Sequence, residues 1–285
     1  MSERTGKPFL RWAGGKRWLA PRLAEALGGW DGPYVEPFLG SGALFFALRP
    51  KRAVLADTNE DLIACYRGVR EDPQAVVERL LELGTDEKSY YSIRARRPKT
   101  DIERAVWFIY LNRTSFNGLW RVNRAGAYNV PWGHREPDLS WLEGDILAAG
   151  DALERAELLC QDFATTMSHR RRGTLIFCDP PYITGHENNG FREYNQKLFS
   201  WEDQEALAKR ALDAASRGVE VIVTNAHHSG IAELYAELHA HEHARHCGLS
   251  GAVTGRAHTT EYLFASTGVH ERLTLAAAGK NEGAR

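Results

Sequence analysis

At 285 residues the chain is long enough to bury a full core and to hold one large domain with an insertion, or two domains. Hydrophobic residues at 43% and charged residues at 26% are ordinary globular composition and argue against disorder except at the ends. A formal net charge of −1 excludes a polycation that holds nucleic acid by total charge alone, and no run approaches the roughly eighteen apolar residues of a membrane span.

The start, Met1 to Lys7, has no apolar signal core, so a cytoplasmic protein is expected. A glycine cluster follows in Phe9-Leu-Arg-Trp-Ala-Gly-Gly-Lys16. Trp12 offers a flat π face for a sulfonium or an adenine ring, and Lys16 a charge for a carboxylate. Read alone, the segment is equally a flexible start to the helical pattern of Arg17 to Leu27. The β-type run Tyr34-Val-Glu36 leads into Pro37-Phe-Leu-Gly-Ser-Gly42 and the helical stretch Gly42 to Leu48. Gly40 and Gly42 let backbone approach a ligand closely, but two glycines are not the full dinucleotide fingerprint. Asp57 ends the next apolar run, Ala53 to Ala56, where an acid accepts hydrogen bonds from two ribose hydroxyls. Its competing role is a helix cap for the segment starting at Thr58. No Walker-type lysine follows the glycines. A nucleoside without a triphosphate fits better, and S-adenosylmethionine is the one that pairs with an activated amine.

From Thr58 to about Gly144 the alternation of strand and helix gives way to helical patterns, with Ile102 to Asn112 the most apolar, and then a loop rich in Asn, Gly and Arg. An insertion of this size and different character predicts a second lobe. It also holds the excess positive charge. Between Tyr90 and Arg135 nine basic residues face only Asp101 and Glu103, a net +7 that leaves −8 for the rest. Interleaved aromatic residues, Trp107, Phe116, Trp120 and Tyr128 among them, favour phosphate and base contacts over a solvated helix face.

Strand patterns resume at Glu157 to Cys160 and Thr174 to Cys178, and the second runs straight into Asp179-Pro-Pro-Tyr182. A buried parallel strand thus delivers a carboxylate to the sheet edge where α/β proteins bind ligands. The two prolines fix φ and make a rigid corner with an acid, a carbonyl acceptor and an aromatic ring. A nucleobase amine needs that set, because its lone pair is delocalised until acceptors hold both N–H groups and draw the nitrogen toward tetrahedral geometry. Asp179 and the Pro180 carbonyl supply the acceptors, and Tyr182 a stacking ring. The plainer alternative is a strand-to-loop turn.

Beyond the corner lie a helix over Trp201 to Ser216 with an acidic first turn, a strand over Val219 to Thr224, a weaker one near His243, and a last strand at Glu261 to Ala265. Asn225 to His228 falls at the ligand edge. The run His239, His241, His243, His246 reads as solvated histidine rather than a metal site, since no acid or Cys pair completes one. Cys65, Cys160, Cys178 and Cys247 are scattered and read as reduced and buried. Ala276 to Arg285 reads as a frayed tail.

Six blocks occur in the order of Dam-type DNA adenine methyltransferases: Trp12-Ala-Gly-Gly-Lys16, Glu36-Pro-Phe-Leu-Gly-Ser-Gly42, Asp57-Thr-Asn59, Asn112 to Asn123, Tyr128 to Gly133, and Asp179 to Tyr182. The chain resembles this alpha group of amino-methyltransferases from about Pro8 to Ala265. The resemblance implies an α/β fold, a Rossmann-like S-adenosylmethionine-dependent sheet with an antiparallel last strand. Residues 1–57 and 145–285 would form the catalytic domain, and 58–144 a mostly helical inserted target-recognition domain. It assigns S-adenosylmethionine contacts to Trp12, Lys16, Glu36, Phe38, Gly40, Gly42, Asp57 and Asp179, and the catalytic corner to Asp179, Pro180, Pro181 and Tyr182. DNA contacts fall to Arg11, Asn117, Leu119, Arg121, Asn123, Arg124 and Pro131, with Arg121 suited to guanine O6 and N7.

The expected activity is methyl transfer from S-adenosylmethionine to the 6-amino group of adenine in double-stranded DNA, within GATC, with no metal, no membrane and no obligatory protein partner. The rivals are cytosine or RNA amino-methylation, a DNA-binding regulator with a vestigial cofactor fold, and a small-molecule methyltransferase.

Overall fold

The computed structural model describes residues 7–182, 199–246 and 258–282. Its strands are β1 (Tyr34–Glu36), β2 (Ala53–Asp57), β3 (Ala156–Cys160), β4 (Leu175–Cys178), β5 (Glu220–Ala226), β6 (His239–His246) and β7 (His258–Ala265). The chain divides into two compact units, 1–28 with 39–161 and 29–38 with 162–285.

In the first unit β2 and β3 pair in parallel, from Ala53 opposite Ala156 to Asp57 opposite Cys160. Its helices are α1 (Ala20–Ala26), α2 (Ala43–Leu48), α3 (Glu60–Glu71), α4 (Pro73–Leu81), α5 (Glu87–Arg94), α6 (Asp101–Thr114) and α7 (Glu143–Leu153). Local chemistry starts each of the middle four. Asn59 caps α3 by accepting the Leu62 N–H, Asp72 caps α4 ahead of Pro73, and Asp86 caps α5. Thr100 and Glu103 form a reciprocal capping box on α6. Every residue of α6 from Ala105 to Thr114 is buried, so this helix is the core of the unit and packs against α3, α4 and α5.

In the second unit the strand order is β1-β4-β5-β7-β6. The pairs β1/β4 and β4/β5 are parallel, while β7 is antiparallel to both β5 and β6. All four residues of β4 are buried, as its apolar run requires. Helices α8 (Phe163–Met167), α9 (Trp201–Ser216), α10 (Ser229–Leu234) and α11 (Thr267–Glu282) complete the unit. Parallel strands joined through helices, with an antiparallel β7, make the mixed α/β, Rossmann-like arrangement that the sequence predicts. Among the described residues no helix is long and apolar enough to cross a membrane.

Two expectations need correction. The supposed tail is helical to Glu282, because Leu275-Ala-Ala-Ala278 is strong helix-forming sequence. Cys160 is exposed at the end of β3, while Cys65 and Cys178 are buried with their thiols pushed up by desolvation; Cys247 lies outside the described residues. The histidine run forms strand β6, with His239 exposed and His241 and His243 half-buried. The rings of His239 and His270 stack at 4.1 Å, and His270 Nδ1 lies 3.0 Å from His241 Nε2. Burial, then the neighbouring His270, His243 and His239, lowers the His241 pKa. Among the described residues no group of three His, Cys, Asp or Glu is placed to hold a metal ion.

Candidate active site

The Asp179 to Tyr182 corner, expected to be catalytic, follows β4 in the second unit. Asp179 is half-buried, and its Oδ1 accepts the Thr224 hydroxyl at 2.7 Å from β5. Tyr182, also half-buried, directs its hydroxyl to Glu261 Oε2 at 3.3 Å on β7. Desolvation, reinforced by Asp179 and Glu261, raises the Tyr182 pKa well above that of a free phenol. Its ring is therefore neutral throughout the working range and suited to stacking. Gln204 of α9 donates to the Pro181 carbonyl at 3.3 Å, and the buried Asn225 amide donates to Gln204 at 2.9 Å. Asn225, expected near the ligand edge, thus props the residue that holds the corner. Thr224, Glu261 and Gln204 were absent from the sequence-derived site, because their role depends on strand and helix partners 23 to 79 residues away.

Two further expected residues belong to this unit. Phe38 is half-buried and stacks on Phe163 at 5.5 Å and 23°, with Phe199 edge-on at 5.5 Å. Phe163 and Phe199 were not singled out, although Phe163 opens the helix directly after β3. Glu36 is buried and accepts the Tyr34 hydroxyl at 2.7 Å.

The glycine turn and Asp57 lie in the first unit. The Asp57 carboxylate accepts the Gly40 N–H at 3.1 Å through one oxygen and the Asn59 N–H at 3.0 Å through the other. Asn59, not Asp57, caps α3, so the cap reading of Asp57 falls away. Burial raises the Asp57 pKa against the backbone N–H groups of Asn59, Gly40 and Thr58, which pull it down. Gly40 has φ +46, and a β-carbon there would lie 2.7 Å from the Trp12 indole, so only glycine admits the ring at this place. Gly42, at φ +62, opens α2. The Tyr66 hydroxyl anchors the Gly40 carbonyl at 2.9 Å, and buried Lys16 donates to Gly14 at 2.7 Å. An acid at a strand end beside a glycine turn and a flat indole is a donor and acceptor set that fits an adenosyl group, with ribose hydroxyls on Asp57.

The loop after α6 is a hairpin closed by bridges Ser115–Trp132 and Val122–Tyr128. Arg11, Asn117, Arg121, Asn123, Arg124 and Pro131 are exposed, and Leu119 is half-buried. Arg121 lies along the hairpin with its Nε on Asn129 Oδ1 at 2.8 Å, which pre-orients the guanidinium. The Asn123 side chain accepts the N–H groups of Ala125 and Ala127 and so builds the turn. Trp120 stacks on Phe108 at 4.3 Å, and Phe108 in turn faces Trp12 at 6.4 Å. Of the aromatic residues that the sequence suggests for base contacts, Phe116 is 48% exposed beside Asn117, whereas Trp107 and Tyr128 are buried.

The family described as D12 class N6 adenine-specific DNA methyltransferase matches residues 12–247. The chain is 32% identical over 248 residues to the type II methyltransferase M1.LlaDCHI of Lactococcus lactis subsp. cremoris, covering 83% of this chain and 87% of that protein. It is 33% identical over 271 residues to the DNA adenine methylase of Vibrio cholerae serotype O1 strain ATCC 39541, covering 90% and 95%. With the DNA adenine methylase of Escherichia coli strain K12 it shares 33% identity over 226 residues, 77% of this chain and 80% of that protein.

Proposed function

The chain belongs to the D12 class of N6 adenine-specific DNA methyltransferases, and from that premise we propose that it methylates adenine within GATC in double-stranded DNA, using the residues described above. Methyl transfer to adenine in DNA and dependence on S-adenosylmethionine come with membership of the family. The observation that carries the residue assignment is the Asp179 corner, half-buried beside β5 and β7 and braced by Thr224, Gln204 and Glu261.

S-adenosylmethionine supplies the electrophilic methyl group when bound. Asp57 accepts the ribose hydroxyls, the Gly40 to Gly42 turn lets backbone approach, Trp12 and Phe38 offer apolar faces, and Lys16 and Glu36 support these segments. The target adenine leaves the helix and stacks on Tyr182. Asp179 and the Pro180 carbonyl accept its two amino hydrogens, so the nitrogen lone pair is released from the ring and directed at the methyl group. Formation of the N–C bond would break the sulfonium's S–C bond, the sulfur keeping the electron pair, and would leave the nitrogen cationic until it gives up a proton; the Asp179 carboxylate would stabilise that charge. Pro181 keeps the corner rigid.

Residues 58–144 act as the target-recognition part, with Arg11 and the hairpin residues Asn117, Leu119, Arg121, Asn123, Arg124 and Pro131 against DNA. The GATC reading is supported by the block Asn117-Gly-Leu-Trp-Arg-Val-Asn123, which resembles that of members acting on this sequence. The enzyme works in the cytoplasm without an obligatory protein partner. Digestion of treated DNA with nucleases of opposite sensitivity to methylated GATC tests the target directly. Protection confined to GATC is expected, and N6-methyladenine formed only at other sites would remove the assignment.

Arg121→Ala is expected to relax discrimination at one base pair by about 1–3 kcal/mol, read as kcat/KM on single-substitution duplexes. A uniform loss over all duplexes would make Arg121 a phosphate contact instead.

A further inference from the structure

Asn112 lies in the last turn of α6, 1% exposed, and its side chain makes three hydrogen bonds to distant backbone. Its Oδ1 accepts the Arg11 N–H at 2.8 Å, and its Nδ2 donates to the Arg11 carbonyl at 2.8 Å and to the Gly118 carbonyl at 3.2 Å. Both donors and the acceptor of the amide are thus used, and one side chain grips both peptide groups of Arg11. Gly118 has φ +65, and a β-carbon there would lie 2.8 Å from the Asn112 carbonyl and 2.9 Å from Arg11 Cδ. The stem of Arg11 therefore runs over Gly118, three residues before Arg121. Neighbouring bonds fix the rest of the Arg11 segment: Arg113 donates to the Phe9 carbonyl and Arg17 to the Leu10 carbonyl at 2.9 Å. Asn112 also reaches the hairpin, through its bond to the Gly118 carbonyl.

A buried amide that makes such bonds is strongly specified, because removing it leaves three backbone groups without their partner. Simple stabilisation would not require that both partners be segments with exposed arginines. We propose that Asn112 is a positioning residue for target specificity: it sets Arg11 and the hairpin bearing Arg121 in one register, so that the two guanidiniums meet neighbouring base pairs together. The inference rests on the reading of Arg11 and Arg121 as DNA contacts.

The test measures kcat/KM on the target duplex and on duplexes with one altered base pair, for Asn112→Ser, Gly118→Ala and Arg11→Ala, alone and combined. Asn112→Ser is expected to lower the discrimination ratio about tenfold while the S-adenosylmethionine Kd stays within about twofold. In the Arg11→Ala background the same change should add less than about twofold, since the residue acts through Arg11. Gly118→Ala, which disturbs the same junction from the hairpin side, should show the same pattern. Asn112→Asp keeps the acceptor but aims a carboxylate at two carbonyls, so its discrimination should recover as pH falls toward about 5 and one donor returns. An unchanged ratio with a lowered melting temperature, or full additivity with Arg11→Ala, overturns the proposal. Absence of N6-methyladenine with the unsubstituted enzyme would instead strike at the functional reading beneath it.

Discussion

Asp179→Ala is expected to bind duplex DNA nearly as the unsubstituted enzyme does, and to lose methyl transfer by about 10³-fold or more. An amino group conjugated with the adenine ring has little nucleophilicity, and the carboxylate both accepts its hydrogen and meets the charge that appears as the new bond forms. Those interactions strengthen in the transition state, so their loss falls on kcat rather than on KM. Asp179→Asn retains the shape and the Thr224 contact but offers an amide where a carboxylate is needed, and it should be nearly as inactive. Thr224→Val removes the hydroxyl that orients Asp179 at 2.7 Å and should cost far less, on the order of tenfold. Single-turnover transfer of labelled methyl, with DNA binding followed separately, distinguishes these effects. Asp179→Ala activity within tenfold of the unsubstituted enzyme would remove Asp179 from the chemistry.

The corner was legible because its parts are contiguous. A four-residue string after an apolar run carries its own geometry, since prolines fix φ wherever they fall. The same holds for β4, whose apolar run is buried throughout, and for α9, which begins at its capping box. What the sequence left hidden depends on register. Glu261 reaches Tyr182, and Thr224 reaches Asp179, only because β7 and β5 lie as they do, and no local pattern encodes that pairing. The Asn112 amide joins residues 101 positions apart. Asp57 posed a different problem: acids cap helices and bind ribose with equal local plausibility, and only the Asn59 to Leu62 bond shows which residue is the cap. Trp120, which the sequence suggested for base contacts, stacks on Phe108 and packs the hairpin on α6. The ring contacts of His239 and His241 with His270 were likewise hidden, since they depend on where β6 lies against α11.

Asp57→Ala is expected to weaken S-adenosylmethionine binding about 100-fold with DNA affinity little changed. Two hydrogen bonds from ribose hydroxyls to an ionised carboxylate, at about 1.5–3 kcal/mol each, account for that loss, since about 1.4 kcal/mol is tenfold. The carboxylate also braces the Gly40 turn through the N–H at 3.1 Å, so the loss comprises misplacement of the glycines as well as missing acceptors. Asp57→Asn separates the two, because it retains one oxygen for Gly40 and loses the charge; about tenfold weakening is expected. The pH dependence follows from burial, which raises the folded pKa above the ordinary carboxylate value. The ionised form is the better acceptor for two donors, so cofactor affinity is full above that raised pKa and declines as pH falls through it, earlier than an exposed aspartate would permit. Bound S-adenosylmethionine, by the same linkage, draws the pKa back down. Calorimetric titrations across this range should show the decline in the unsubstituted enzyme and a flat profile in Asp57→Asn. An equal decline in both would place the titrating group elsewhere and leave Asp57 as a brace of the glycine turn alone.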